Sequence, residues 1–351
     1  MSDINTNSKI IFVVGNSRSG TTLMGSILGS GPEIFTFEEL HFFDHVLPST
    51  SSSGKLSRSE ATALAAQLCS IQASDWLTPQ DPKLFAQEAQ AIALSVDDEP
   101  IAPARLFENF LNFKSQQHHK VIPCEQTPQN VFHIQELLEL YPNCRIINMV
   151  RDPRDVLLSQ KYKWRIRFLG ASNIPLFETF RAWSNYHSTI ISLLWNLAIQ
   201  AAACFKDHPR VKTVRFEDLV LDPESVTKSI CEFAGVTFSP QMLNVSQGEG
   251  GVSSHKKISP SARGIDPSVV SKWEKGGLLN SEVHICQSIT HKNMVEHGYL
   301  SAPITRLNKC LSASLFILLP FKLSLALLLN LNRVGNLRET VKKRFSARRH
   351  A

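Results

Sequence analysis

Arg18 lies inside an eight-residue loop, Gly15-Asn16-Ser17-Arg18-Ser19-Gly20-Thr21-Thr22, between an apolar run (Ile10 to Val14) and an apolar helical pattern. The spacing is that of the nucleoside-triphosphate loop G-x-x-x-x-G-K-[ST], whose lysine reaches the outer phosphates. Here the lysine position is Thr21, and an arginine has entered the loop. A strand, a glycine loop and a helix N-terminus together aim backbone N–H groups at an anion. Thr21 and Thr22 add hydroxyls, and Arg18 adds a planar fork suited to tetrahedral oxyanions. Without the lysine, and without a clear metal-holding aspartate after a later strand, a magnesium triphosphate fits poorly. A 5′-phosphate carrying one more tetrahedral group fits better. The plainer alternative is a tight strand-to-helix turn.

A second candidate is "RIINMVRDPRDVLLSQ". Arg151 leaves the end of a buried strand, Asp152-Pro153 turns the chain, and Asp155 is expected to cap the next helix. Ser159 falls one helical turn further on. An arginine at the C-terminal edge of an open α/β sheet points into the crevice where ligands bind; a structural Arg–Asp pair is the alternative. A third is "FTFEELHFF", with the adjacent carboxylates Glu38 and Glu39. They suit proton transfer, or simply form an acidic helix N-terminus. Burial together would raise the proton affinity of the pair. His41 and His45 are four apart, but no third ligand lies near, so no metal is expected.

Taken together, "NSRSGTTLM", "FEEL", "EQTP", "VRDPRDVLLSQ", "VRFEDLV" and "SKWEKG" resemble, in order and spacing, the 3′-phosphoadenosine-5′-phosphosulfate (PAPS)-dependent sulfotransferases. The similarity is to the branch holding the tyrosylprotein enzymes and many bacterial members, and it spans Ile10 to about Tyr299. The resemblance implies that Arg18, Ser19, Gly20, Thr21 and Thr22 hold the 5′-phosphosulfate. It implies that Arg151 and Ser159 hold the 3′-phosphate and that Glu39 is the general base; a histidine base, as in the cytosolic branch, ranks second. Ser253, Ser254, Lys256 and Lys257 are expected near phosphate if "GEGGVSSHKK" closes over the donor.

Two positions depart from that pattern. Gln126 in "CEQTP" stands where the related branch reads lysine, a charged donor to the transferring group. Losing such a donor can cost orders of magnitude in rate. Either Arg18 suffices, another lysine reaches in, or the protein is slow or inactive. Phe216 stands where the family often has tyrosine.

The elements that must position these residues follow from hydrophobic pattern. Continuous apolar runs at Ile10 to Val14, "CRIINMV" and "VKTVRFEDLV" read as buried parallel strands. Helices are expected at Gln129 to Leu140, from Asp155, at Phe177 to Ala203, after "DPES" up to Gly235, and at Glu282 to His297. The fold class is α/β: a P-loop-like parallel sheet flanked by helices. Residues 47–117, rich in Ala, Leu and Gln and broken by prolines, read as a helical insertion that shapes the acceptor site. A sulfotransferase domain is expected over 1–302, and an apolar then basic tail over 303–351.

The chain has 351 residues, 43% hydrophobic, with a net charge of +6. Seven Lys/Arg and one acid fall between Arg333 and Arg349, leaving 30 basic and 30 acidic residues elsewhere. A neutral body argues against nucleic acid as partner. Seven cysteines without C-x-x-C pairs, and an N-terminus without an apolar signal, predict a reduced cytoplasmic setting. From Leu311 to Leu331, fifteen of twenty-one residues are apolar, but Pro320 and Lys322 interrupt them. An in-plane, membrane-associating segment kinked at Pro320 is expected, or a terminal helix packed on the body. The expected reaction is sulfuryl transfer from PAPS, without metal, to an acceptor hydroxyl of unspecified class, with the tail favouring a membrane-borne one. Two rivals stand: a kinase-like phosphoryl transferase, and a sulfotransferase-fold protein that binds nucleotide or membrane with little or no catalysis.

Overall fold

The computed structural model describes residues 8–47, 54–74, 79–165, 175–245, 265–303 and 306–330. Five parallel strands run among them: β1 (Ile11–Gly15), β2 (Ile34–Thr36), β3 (Ile122–Glu125), β4 (Arg145–Val150) and β5 (Val211–Arg215), in spatial order β2-β3-β1-β4-β5. β1 is central, with Ile11 opposite both Cys124 and Arg145. The helices are α1 (Thr21–Gly29), α2 (Arg58–Ala73), α3 (Ala86–Leu94), α4 (Pro103–Gln117), α5 (Ile134–Leu140), α6 (Pro153–Lys161), α7 (Leu176–Ser184), α8 (Ser188–Ala203), α9 (Phe216–Leu221), α10 (Pro223–Ala234), α11 (Asn280–Glu296) and α12 (Arg306–Asn330).

Strand alternation assigns each face of the sheet its own core. Phe12 and Val14 join α2, α3, α4 and part of α8 in one cluster. Ile11 and Val13 join α1, α10 and the Phe216–Val220 stretch in the other. Both faces are apolar because both are covered, which is why β1 reads as an unbroken hydrophobic run. The insertion supplies Phe107 and Phe110, which stack near Phe42 and Phe37, so α4 braces the stretch that carries Glu39.

Several sequence-based expectations change. Asp152, not Asp155, caps α6: its carboxylate accepts from the Arg154 N–H, with Pro153 as first helical residue. The first turn of the expected Gln129 helix is a 3₁₀ segment, Pro128–His133, and α5 begins only at Ile134. The expected Phe177–Ala203 helix is two, because the His187 side chain accepts from the Thr189 N–H and starts α8 afresh. "VKTVRFEDLV" is a strand only to Arg215. Phe216 opens α9, whose first turn carries Glu217 and Asp218, acids that favour a helix N-terminus. β2, three residues long, gave no separate signal. α10 ends as expected, with Gly235 left-handed at φ 61°.

Candidate active site

Each named residue follows the C-terminal end of a strand. Arg18 to Thr22 follow β1, Glu39 follows β2, Gln126 follows β3, Arg151 follows β4 and Phe216 follows β5. Parallel topology therefore gathers residues from five distant sequence positions along one sheet edge.

The β1–α1 loop is built for close approach. Ser19 N donates to Asn16 O at 3.1 Å, and Gly20 sits at φ 95° as the residue before α1. A Cβ on Gly20 would lie 2.3 Å from the Phe216 ring, so only glycine fits there. Phe216 therefore serves as a floor: one edge supports Gly20, and the Arg151 guanidinium lies 4.3 Å from its ring centroid.

Two guanidiniums face this loop. Arg18 Nε donates to Ser159 Oγ at 2.9 Å. Arg151 donates to Arg18 O at 3.4 Å and to Val269 O at 3.1 Å, and its Nη2 is 4.0 Å from Asp155. Burial lowers the pKa of both arginines, and the Arg151 charge lowers that of Arg18 further. Crowding two cations beside oriented N–H groups costs free energy that a bound polyanion offsets. Arg151 Nε, Ser19 Oγ and Gln126 Oε1 are buried and lack a hydrogen-bond partner among the described residues. Buried polar atoms are normally satisfied, so these three also point to a ligand.

The strand ends are held rigidly. Trp195 Nε1 donates to Arg151 O at 2.9 Å. Asp152 N donates to Glu217, which also accepts from the Tyr299 hydroxyl at 2.8 Å. Asp155 accepts from Trp273 N at 2.9 Å, tying "SKWEKG" to α6. Trp273 lies beneath the Arg154 guanidinium, 4.0 Å from ring centroid to Cζ, as a packing residue.

Glu39 has a side chain 41% exposed, with one carboxylate oxygen 3.3 Å from His41 Nε2. Burial pushes its pKa up, but the His41 hydrogen bond and charge, with Lys163 and Arg18, hold it below the usual carboxylate range. His41, not Glu38, sets the ionisation of Glu39. The turn is anchored from behind: His41 N donates to Thr127 Oγ1 at 3.2 Å, and the Thr127 hydroxyl donates to Glu125. Glu125 is fully buried, accepts from Asn130 at 2.7 Å, and has its pKa pushed up by burial to about 7.

Lys163 is the residue that motif reading missed. It stands four residues beyond Ser159, in the short 3₁₀ turn that follows the end of α6 at Lys161, and it is exposed. Yet protein around its amine lowers its pKa, Arg18 adds to the fall, and Glu39 opposes it. Gln126 packs under α1 near Gly25, and its side chain is 5% exposed. No motif or helical spacing pointed to Lys163, since it lies beyond the last residue of α6. Ser253, Ser254, Lys256 and Lys257 lie outside the described residues, as does the His45 side chain.

A strand–loop–helix without the triphosphate lysine thus lies at one parallel sheet edge together with Glu39. The chain belongs to the sulfotransferase family, whose sequence profile matches residues 11–240. It is 26% identical to chicken protein-tyrosine sulfotransferase 2, over 79% of this chain and 67% of that protein. It is 25% identical to human carbohydrate sulfotransferase 5, over 68% and 66%. The chain thus spans about two thirds of these relatives' length. In fold it is similar to the sulfotransferase domain of the curacin biosynthetic pathway (TM-score 0.53, 20% identity, 84% of this chain and 99% of that one). It is also similar to that of the Synechococcus PCC 7002 olefin synthase (TM-score 0.50, 19% identity, 83% and 98%).

Proposed function

We propose that this chain transfers a sulfuryl group from PAPS to a hydroxyl of its acceptor, with Glu39 as general base. The observation that carries the reading is the pair of contacts at the β1–α1 loop: Arg18 Nε donates to Ser159 Oγ at 2.9 Å and Arg151 donates to Arg18 O at 3.4 Å, which brings the two motifs together. In this reading the loop Arg18 to Thr22 holds the 5′-phosphosulfate, and Arg151 with Ser159 holds the 3′-phosphate. Glu39, ionised at neutral pH, accepts the acceptor hydroxyl's proton as that oxygen bonds to sulfur. The bond from sulfur to the bridging phosphate oxygen breaks, and its electron pair stays on the phosphate. The products are a sulfate ester and adenosine 3′,5′-bisphosphate. Arg18 and Lys163 face the charge spread over the transferring group, and Gln126 contributes a neutral hydrogen-bond donor. Lys163 thereby supplies the cation that Gln126 cannot.

The relatives' names include protein-tyrosine and carbohydrate sulfotransferases. Both substrates carry hydroxyls, and in this reading the helical insertion, residues 47–117, shapes the acceptor site. The test is turnover of PAPS against a panel of phenolic and carbohydrate acceptors, with Glu39→Gln beside the wild type. A base contributes about 10²–10⁴-fold, so Glu39→Gln should lose that much in kcat while still binding adenosine 3′,5′-bisphosphate. A fully active Glu39→Gln removes the assignment of the base. A wild type that binds the bisphosphate but turns over no acceptor supports the weakly catalytic alternative, for which the uncharged Gln126 is the favouring feature.

A further inference from the structure

α12 packs on α7 and α11. Among its described side chains, two polar ones face the body: Lys322 Nζ is 3.3 Å from Trp183 O and 3.5 Å from that indole's centroid. Asn330 accepts from Arg181 at 2.7 Å and donates to Asn185 at 2.9 Å. Three large apolar ones face outward, Ile317 at 78% exposure, Phe321 at 66% and Leu328 at 66%, at spacings of four and seven that define one stripe. α7 continues the surface with Phe177 (55%) and Phe180 (48%) exposed. A surface helix normally does the reverse, apolar face in and polar face out. Contiguous exposed apolar surface marks an interaction site.

The sequence directly after α12 indicates what covers that face. Seven basic residues and one acid lie between Arg333 and Arg349. An apolar stripe followed by a polybasic segment matches the two layers of an anionic membrane surface, acyl chains beneath phosphate headgroups. Among the described residues no helix is long and apolar enough to cross a membrane, and α12 packs along α7 and α11, so the fit is in-plane. Lys322, the charge that would oppose burial in lipid, is turned onto Trp183.

We infer that the outward face of α12 and α7 docks on anionic lipid bilayers. The inference stands apart from the sulfotransferase reading, because bilayer binding needs neither donor nor turnover. The test is flotation of the full chain with phosphatidylcholine vesicles, with and without phosphatidylserine. The full chain should float with the anionic vesicles and less with the neutral ones. Phe321→Glu/Leu328→Glu, both at exposed positions, should weaken partitioning by at least about ten-fold. Lys342→Gln/Lys343→Gln/Arg344→Gln should weaken it about a hundred-fold on anionic vesicles, from about five-fold per basic residue. A full chain that floats with neither vesicle, or a Phe321→Glu/Leu328→Glu variant that floats like wild type, overturns the inference. Absence of flotation, with light scattering showing a dimer that the same variant splits, would assign the face to a second copy and overturn it equally.

Discussion

Arg18 and Ser159, 141 positions apart, meet through a single hydrogen bond of 2.9 Å from Nε to Oγ. That contact joins the β1–α1 loop to α6, and with the Arg151–Arg18 O contact it brings together the two motifs that we propose form one anion site. It also fixes the direction of the Arg18 fork, since Nε is committed to Ser159 while both Nη groups stay available to a ligand.

Ser159→Ala should therefore loosen Arg18 without moving the fold. A net hydrogen bond is worth about 1 kcal/mol, so affinity for adenosine 3′,5′-bisphosphate should fall about five-fold by titration calorimetry, with melting temperature nearly unchanged. Unaltered affinity would remove Ser159 from the donor site.

Lys163 is assigned the charge that Gln126 lacks. Lys163→Gln should lower kcat about a hundred-fold with little change in donor affinity, since the charge acts on the transferring group. Adding Gln126→Lys to that variant should restore part of the loss, because it returns a cation to the same neighbourhood from β3. A Lys163→Gln enzyme with wild-type kcat would contradict the assignment.

The motifs were legible because their chemistry is local. A loop of Gly, Ser, Thr and Arg between an apolar strand and a helix declares an anion site wherever it stands, and β1, β4 and α10 follow from runs and caps a few residues long. What escaped was set by tertiary contact. β2 is three residues completing a sheet edge. The break between α7 and α8 depends on a cap by His187, a residue with little intrinsic signal as one. Asp155 looked like a cap by position, but the structure uses it to hold Trp273 N and to face Arg151. Lys163 belongs to no motif, and its proposed role arises only because the turn after α6 brings its charge under the influence of Arg18 and Glu39. Glu39 was readable as a base, but its low pKa was not, because the cause is a pairing with His41 rather than the adjacent Glu38.

Glu125 sets a pH dependence of stability. Its folded-state pKa, about 7, exceeds the ordinary 4.5 because burial disfavours the ion. A raised folded-state value means the contribution is full below about 4.5 and is lost as pH climbs through about 7. Asp155, pushed by burial from 3.8 to about 6, acts in the same direction over a lower window. Stability should thus fall between pH 5 and 8 by about a few kcal/mol at most, read as a falling melting temperature. Glu125→Gln should flatten that slope. A slope unchanged by Glu125→Gln would show that the Glu125–Thr127–Asn130 cluster does not titrate in this window.

The central claim is a site for a nucleotide bearing both a 5′-phosphosulfate and a 3′-phosphate. The most direct measurement is calorimetric titration with adenosine 3′,5′-bisphosphate, AMP and Mg-ATP, on wild type and on Arg151→Ala. The account predicts that the bisphosphate binds most tightly. Arg151→Ala should weaken it by about 2 kcal/mol, some thirty-fold, as befits hydrogen bonds to a charged group. Preference for Mg-ATP, equal affinity for AMP, or no nucleotide binding would contradict it.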